Sequence, residues 1–197
     1  MNDPMRTFLD RLDAELYPFA KKGARFDMYL LGRAALVLHY QFALATKDID
    51  IVEMRKSVLE EKAIDLFGQG SRLAQALGFY LERVPQGLPP LPSGFQQRCE
   101  EIKGGWKVIR PWVLDPHDLA VTKLKSFRPK DREDLQLLCD RELLDAATLR
   151  ARLEAAFPFR SPKSDDAEGD VDNPAWTKAL ASFRRVEAYL NGDSRSL

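Results

Sequence analysis

The chain has 197 residues, 45% hydrophobic and 30% charged, which is enough for one domain with a buried core, or for one domain with a helical extension. Thirty Lys and Arg balance thirty Asp and Glu, which excludes a whole-molecule field that would attract nucleic acid or anionic lipid. Cys99 and Cys139 form no zinc-binding or disulfide pattern. No apolar stretch approaches the ~18 residues of a membrane span, and the N-terminus has no apolar signal segment. We therefore expect a cytoplasmic protein that makes no use of a membrane.

Helices and strands alternate in the first 114 residues. Apolar residues at three- and four-residue spacing predict a helix over 3–22, and polar–apolar alternation predicts a strand over 46–52. The same criteria predict further strands at 26–32 and 79–84, a hairpin from 99–102 and 106–113, helices at 33–40, 57–66 and 71–77, and a proline-rich loop at 85–94.

After residue 114 the pattern is helical. Helices are predicted at 116–127, 130–140, 145–157 and 174–190, and the polar, acidic segment 161–173 predicts a mobile loop. The chain thus reads as an α/β (α+β) core of four or five strands at 1–114, followed by a helical region at 115–197 that packs on it.

The sharpest chemical feature is an Asp-x-Asp motif in the second predicted strand. Asp48 and Asp50 lie two residues apart, so their side chains share one face at a spacing of about 6.5–7 Å, and Ile49 and Ile51 face the core. Two such carboxylates suit a hard cation such as Mg²⁺. The alternative is an acid pair at the end of a strand in water.

A glycine turn precedes this motif by one helix. Gly32 lies 16 residues before Asp48, and a glycine turn that opens a helix presents backbone N–H groups suited to phosphate oxygens. In this order of strand, glycine turn, helix and Asp-x-Asp strand, the chain resembles the nucleotidyltransferase superfamily.

A second block extends the resemblance. Residues 114–124 (LDPHDLAVTKL) and 128–135 (RPKDREDL) look like a block of AbiEii-type toxins and related uncharacterised bacterial nucleotidyltransferase-like proteins. The resemblance implies a mixed sheet flanked by helices, an NTP substrate, and Mg²⁺ or Mn²⁺ held by Asp48 and Asp50. It also implies that Gly32 and Arg33 cradle phosphate.

The same resemblance gives roles to Lys123 and Asp131. Lys123 would contact nucleotide phosphate, and Asp131 would orient Lys123 or a reacting group. Each residue also has a structural interpretation: Lys123 extends its stem along an apolar stripe, and Asp131 is a first-turn carboxylate that the helix dipole favours.

The chain departs from the superfamily pattern at two points. Arg33 stands where the second turn residue is usually Gly or Ser, so it either pairs with phosphate or blocks the pocket. A third carboxylate is usual on a later strand, but residues 107–113 contain no acid. The candidates that remain are Glu82, Glu100 and Glu101, which sequence does not rank.

The histidines and the basic residues are weaker signals. His39 and His117 read as a helix-face residue and a first-turn residue rather than as ligands. Residues 103–132 include eight Lys or Arg residues and only three acids. This excess predicts either a basic surface for RNA or triphosphate, or solvated helix surface. These cations are Lys103, Lys107, Arg110, Lys123, Lys125, Arg128, Lys130 and Arg132.

The resemblance to nucleotidyltransferases implies metal-dependent transfer of a nucleotidyl group from an NTP to an acceptor hydroxyl, on tRNA or on a protein. The AbiEii resemblance adds a role as the toxin of a toxin–antitoxin pair, with a cognate antitoxin as partner. The alternative is a catalytically silent module on the same fold that binds a partner protein. A glycosyltransferase that uses Asp-x-Asp is disfavoured by the spacing between Gly32 and Asp48.

Overall fold

The computed structural model describes residues 3–54, 57–157, 173–193, 195 and 197. Within them the chain forms two compact units. The first contains Met1–Leu88 and Arg98–Leu114, and the second contains Pro89–Gln97 and Asp115–Leu197.

A five-stranded mixed sheet organises the first unit. Its strands are β1 (Phe26–Leu30), β2 (Asp48–Val52), β3 (Tyr80–Val84), β4 (Glu100–Glu101) and β5 (Ile109–Val113). They lie in the order β3-β2-β1-β5-β4. Strand β1 runs antiparallel to β2 and parallel to β5, β2 runs parallel to β3, and β4 closes the far edge antiparallel to β5.

The first unit contains the helices α1 (Pro4–Leu16), α2 (Gly32–Leu38), α3 (Val58–Phe67) and α4 (Arg72–Leu77). A 3-10 turn at Tyr17–Phe19 follows α1. Side-chain oxygens of Asp3, Ser57 and Ser71 accept hydrogen bonds from backbone N–H groups in the first turns of α1, α3 and α4, which satisfies donors that have no partner inside the helix.

One face of the sheet forms the core of this unit. Strands β1 and β5 alternate buried and partly exposed residues along their whole length, as expected when one face packs and the other does not. Helix α2 contacts β2, α3 and α4 contact β3, and α1 packs on α3, where the rings of Phe8 and Phe67 meet edge to face at 5.3 Å.

The second unit is helical. Its helices are α5 (Phe95–Arg98), α6 (Pro116–Leu124), α7 (Pro129–Asp140), α8 (Ala146–Ala156) and α9 (Pro174–Leu190). Helix α6 contacts α7, α8 and α9, and its residues Leu119, Val121 and Leu124 are fully buried. Among the described residues, no helix is long and apolar enough to cross a membrane.

The fold class predicted from the sequence is confirmed: a mixed sheet of five strands, helices, and a C-terminal helical region. The hairpin of β4 and β5 is present. Two details were wrong. Helix α6 ends at Leu124 rather than at Phe127, which adopts a left-handed conformation (φ 46°), and the predicted proline-rich loop is followed by the short helix α5, which the sequence analysis missed. Of the predicted loop at 161–173, residues 161–172 lie outside the described residues.

Candidate functional site

The Asp-x-Asp motif lies on β2 with its two carboxylates on one face. Ile49 and Ile51 are buried, at 0% and 1% exposure, whereas Asp48 and Asp50 are partly exposed. The period-two alternation predicted from the sequence is therefore confirmed.

Glu82 on β3 is the third carboxylate of this group. Strands β2 and β3 are parallel, and their register pairs Asp50 with Glu82, so both side chains stand on the same face of the sheet. Asp48, Asp50 and Glu82 each offer one oxygen, and these oxygens lie within 4.8 Å of one another. We call these three residues the carboxylate triad.

The other two candidates for a third carboxylate lie elsewhere. Glu100 and Glu101 belong to β4, which β1 and β5 separate from β2. Glu100 lies 3.2 Å from the His39 ring, and Glu101 pairs with Lys103. Of the three candidates that the sequence left unranked, Glu82 is therefore the one that lies with Asp48 and Asp50, because it stands on β3, the neighbour of β2.

The turn between β1 and α2 presses against the triad at Gly32. Gly32 has φ +59°, and a Cβ built on it would lie 2.5 Å from Oδ2 of Asp50. The backbone N–H of Leu31 donates to the Asp50 carbonyl oxygen at 2.8 Å. The chain therefore needs glycine here both for its backbone conformation and for the room that Asp50 occupies.

Two further polar residues contact the triad. The Thr46 hydroxyl donates to the Asp48 carboxylate and lies 3.3 Å from the Asp48 carbonyl oxygen, which fixes the orientation of that side chain. Tyr80 stands opposite Asp48 in the β2–β3 register. Desolvation and the charges of Asp48, Glu82 and Asp50 raise the pKa of the Tyr80 phenol, so near neutral pH it is a hydrogen-bond donor.

Sequence analysis missed Thr46 and Tyr80 and could not rank Glu82. Polar–apolar alternation in residues 80–84 was the available signal. It predicts a strand but does not say which strand lies beside it.

Lys123 and Asp131 belong to the second unit. Lys123 Nζ donates to Oδ2 of Asp134 at 2.7 Å, and the two side chains are 6% and 1% exposed. Asp131 accepts from the backbone N–H and the Nε of Arg128, each at 3.0 Å, at the start of α7. That contact fits the interpretation of Asp131 as a first-turn carboxylate.

The structure gives Lys123 a hydrogen-bonded ion pair with Asp134, whereas the prediction from sequence was that Asp131 orients Lys123 or a reacting group. Asp134 lies three residues after Asp131 and so shares its helix face, and it is the more deeply buried of the two. A role for Lys123 or Asp131 beside the triad stays a prediction, and so does the phosphate contact of Arg33.

At least half of the eight basic residues between 103 and 132 form ion pairs with acids. Ion pairs join Lys103 to Glu101, Arg110 to Asp27, Lys123 to Asp134 and Arg128 to Asp131. Neutralisation of four of the eight cations weakens the case for a basic RNA-binding surface.

The donor set of the triad fits a hard divalent cation. Carboxylate oxygens are the ligands that Mg²⁺ and Mn²⁺ prefer, and Mg²⁺ sites commonly combine a few carboxylates with water and substrate phosphates. The absence of a Cβ at Gly32 leaves the Asp50 carboxylate in place beside the other two.

A mixed sheet that carries Asp-x-Asp on one strand, a third acid on the next and a glycine turn packed against them has the arrangement of the nucleotidyltransferase superfamily. Residues 7–177 match the family described as nucleotidyltransferase of unknown function (DUF6036). The match covers most of the chain, so the chain belongs to this family. No curated protein and no solved structure matches it.

Proposed function

We propose that this nucleotidyltransferase moves a nucleotidyl group from an NTP to an acceptor hydroxyl, with Mg²⁺ or Mn²⁺ held by the carboxylate triad. The observation that carries the proposal is the convergence of oxygens from Asp48, Asp50 and Glu82 within 4.8 Å. Three acids this close repel one another unless a cation or a proton lies between them. The family match supports the reaction class.

The metal ion, when bound, would neutralise charge on the triphosphate and on the departing pyrophosphate. Residues of the chain around the triad hold its carboxylates in position. Thr46 holds the Asp48 carboxylate, and the turn at Gly32 lies against Asp50, where it and Arg33 would meet phosphate oxygens.

The transfer forms one bond and breaks one. The acceptor oxygen bonds to the α-phosphorus, the bond from that phosphorus to the bridging oxygen breaks, and pyrophosphate leaves with its electron pair. We propose that Glu82, the most exposed member of the triad, accepts the proton that the acceptor hydroxyl releases.

The acceptor and the biological role rest on the resemblance to AbiEii-type toxins. We propose an acceptor hydroxyl on tRNA or on a protein, and a role as the toxin half of a toxin–antitoxin pair in the cytoplasm.

The test is transfer of label from each α-labelled NTP, with Mg²⁺, to total tRNA and to the proteins of a cell extract. We expect one labelled acceptor, and we expect Asp48→Asn to abolish labelling. Asp65→Asn is the matched control, because Asp65 is an exposed acid on α3 that pairs with Lys62.

A binding measurement separates the enzyme from a silent module. Mg²⁺ and NTP together should raise the thermal midpoint more than either alone, since each supplies ligands for the other and only the folded chain binds the pair. Calorimetry without NTP binding at millimolar Mg²⁺ would contradict the transferase and favour a module that binds a partner protein.

A further inference from the structure

Two aromatic rings stack on the sheet face that carries the triad. Tyr29 on β1 and Trp112 on β5 are paired in register, and both are partly exposed, whereas their neighbours along each strand are buried. Their ring planes differ by 14° and their centroids lie 6.3 Å apart. We call this pair the aromatic platform.

A carboxylate on the same sheet face fixes the indole. Asp27 accepts from Nε1 of Trp112 at 2.8 Å and from Nη2 of Arg110 at 2.9 Å. Burial alone would raise the pKa of Asp27, but the hydrogen bonds from Arg110 and Trp112 and the charge of Arg110 outweigh it and hold that pKa below its usual value. The indole N–H is therefore satisfied and the ring is held in one orientation, which lowers the entropic cost of binding a flat ligand.

Strand registers place the platform beside the triad. Leu30 pairs with Ile51 in the antiparallel β1–β2 ladder, so Tyr29 stands opposite Val52 and diagonal to Asp50, a separation of about 7–8 Å in a regular sheet. Trp112 follows on the next strand, about 5 Å further across the sheet. Across one face the order is thus Glu82, Asp50, Tyr29 and Trp112.

We propose that the aromatic platform stacks the nucleobase of the NTP whose phosphates lie at the triad, an inference that rests on the function proposed above. A nucleotide is charged at one end and flat and aromatic at the other. The sheet face repeats this order, with metal-binding oxygens on β2 and β3 and aromatic rings on β1 and β5.

The charges around the platform favour a base over a phosphate. The Arg110 guanidinium lies over Trp112, with Cζ 5.3 Å from the ring centroid, and Asp27 already neutralises it through two hydrogen bonds. Stacking on aromatic rings tolerates any base, so we expect the four NTPs to bind with similar affinities.

The test compares each NTP with inorganic tripolyphosphate, which has no base, by calorimetry on the full chain at millimolar Mg²⁺. We expect NTP to bind more tightly than tripolyphosphate by at least about fivefold. Trp112→Leu should erase this advantage and leave tripolyphosphate affinity unchanged, whereas Trp112→Phe should keep most of it. Trp176→Leu is the matched control, since Trp176 lies on α9 in the second unit.

The outcomes distinguish failure of the platform from failure of the proposed function. If NTP and tripolyphosphate bind equally, or if folded Trp112→Leu keeps the NTP advantage, the platform does not hold the base, although the proposed function stands. If neither ligand binds, both proposals fall. Native circular dichroism of Trp112→Leu shows that this variant is folded, and Trp112→Phe, which keeps an aromatic ring, distinguishes loss of stacking from loss of packing.

Discussion

The carboxylate of Asp50 occupies the space that a side chain at Gly32 would need. A Cβ at Gly32 would lie 2.5 Å from Oδ2 of Asp50, and the residue has φ +59°. The glycine of the β1–α2 turn is thus tied to the position of a triad carboxylate, which explains physically why the turn and the Asp-x-Asp strand occur together.

Gly32→Ala should therefore lower the free energy of unfolding by more than the backbone strain of a left-handed alanine alone would. We expect a loss of about 2–3 kcal/mol in the free energy of unfolding, from left-handed strain plus the clash with Asp50, together with weaker Mg²⁺ binding. Gly70→Ala is the control, because Gly70 has φ +84° and, among the described residues, no atom within 4 Å of a Cβ placed there. Urea unfolding measures the free energy of unfolding of both variants. Equal losses in Gly32→Ala and Gly70→Ala would show that Asp50 does not crowd Gly32.

Glu82→Gln should separate stability from metal binding. It removes one of three neighbouring negative charges, so in EDTA the thermal midpoint should stay the same or rise. The rise in midpoint on adding Mg²⁺ should shrink, since we expect Mg²⁺ affinity to fall by about tenfold or more. Asp65→Asn should behave as the native chain. An unchanged Mg²⁺ response in Glu82→Gln would remove Glu82 from the metal site.

The sequence was enough to predict the arrangement of site residues within a single strand, β2. Alternation along residues 48–52 is enough to place Asp48 and Asp50 on one face and Ile49 and Ile51 in the core. Glu82 could not be ranked, because its place beside Asp50 depends on the β2–β3 register, which α3, α4 and the turns between them set.

The same limit applies in the helical unit. Helical spacing singled out Asp131 on α7, but Asp134 shares that helix face, and the choice of partner for Lys123 depends on how α6 and α7 pack. Short helix α5 also escaped prediction, because four residues after a proline-rich loop carry too little periodicity to distinguish a helix from a turn.

Tyr80 should report the charge of the triad. Desolvation together with Asp48, Glu82 and Asp50 raises the pKa of its phenol, so Asp48→Asn should lower that pKa towards the ordinary value near 10. The folded chain keeps this proton at a pH where the unfolded chain loses it. The stability that Tyr80 adds is therefore present below about pH 10 and is lost as pH rises through the folded pKa.

The measurement for Tyr80 is tyrosinate absorbance against pH, with Tyr80→Phe subtracted to isolate this phenol from the other four tyrosines. The Asp48→Asn curve is compared with the native curve in the same way. Coincident curves would mean that the Asp48 charge does not act on Tyr80.

The buried pair of Lys123 and Asp134 gives the last prediction. Both side chains are almost fully buried and their charged atoms are 2.7 Å apart, so Lys123→Met leaves a carboxylate without this cation in a desolvated place. We expect the free energy of unfolding to fall by about 3–5 kcal/mol, and the double variant Lys123→Met/Asp134→Leu to recover much of it. A double variant that regains its stability also tests the phosphate contact predicted for Lys123: if the pair has only a structural role, NTP binding at millimolar Mg²⁺ persists. A double variant as stable as the native chain but without NTP binding would return Lys123 to the phosphate site.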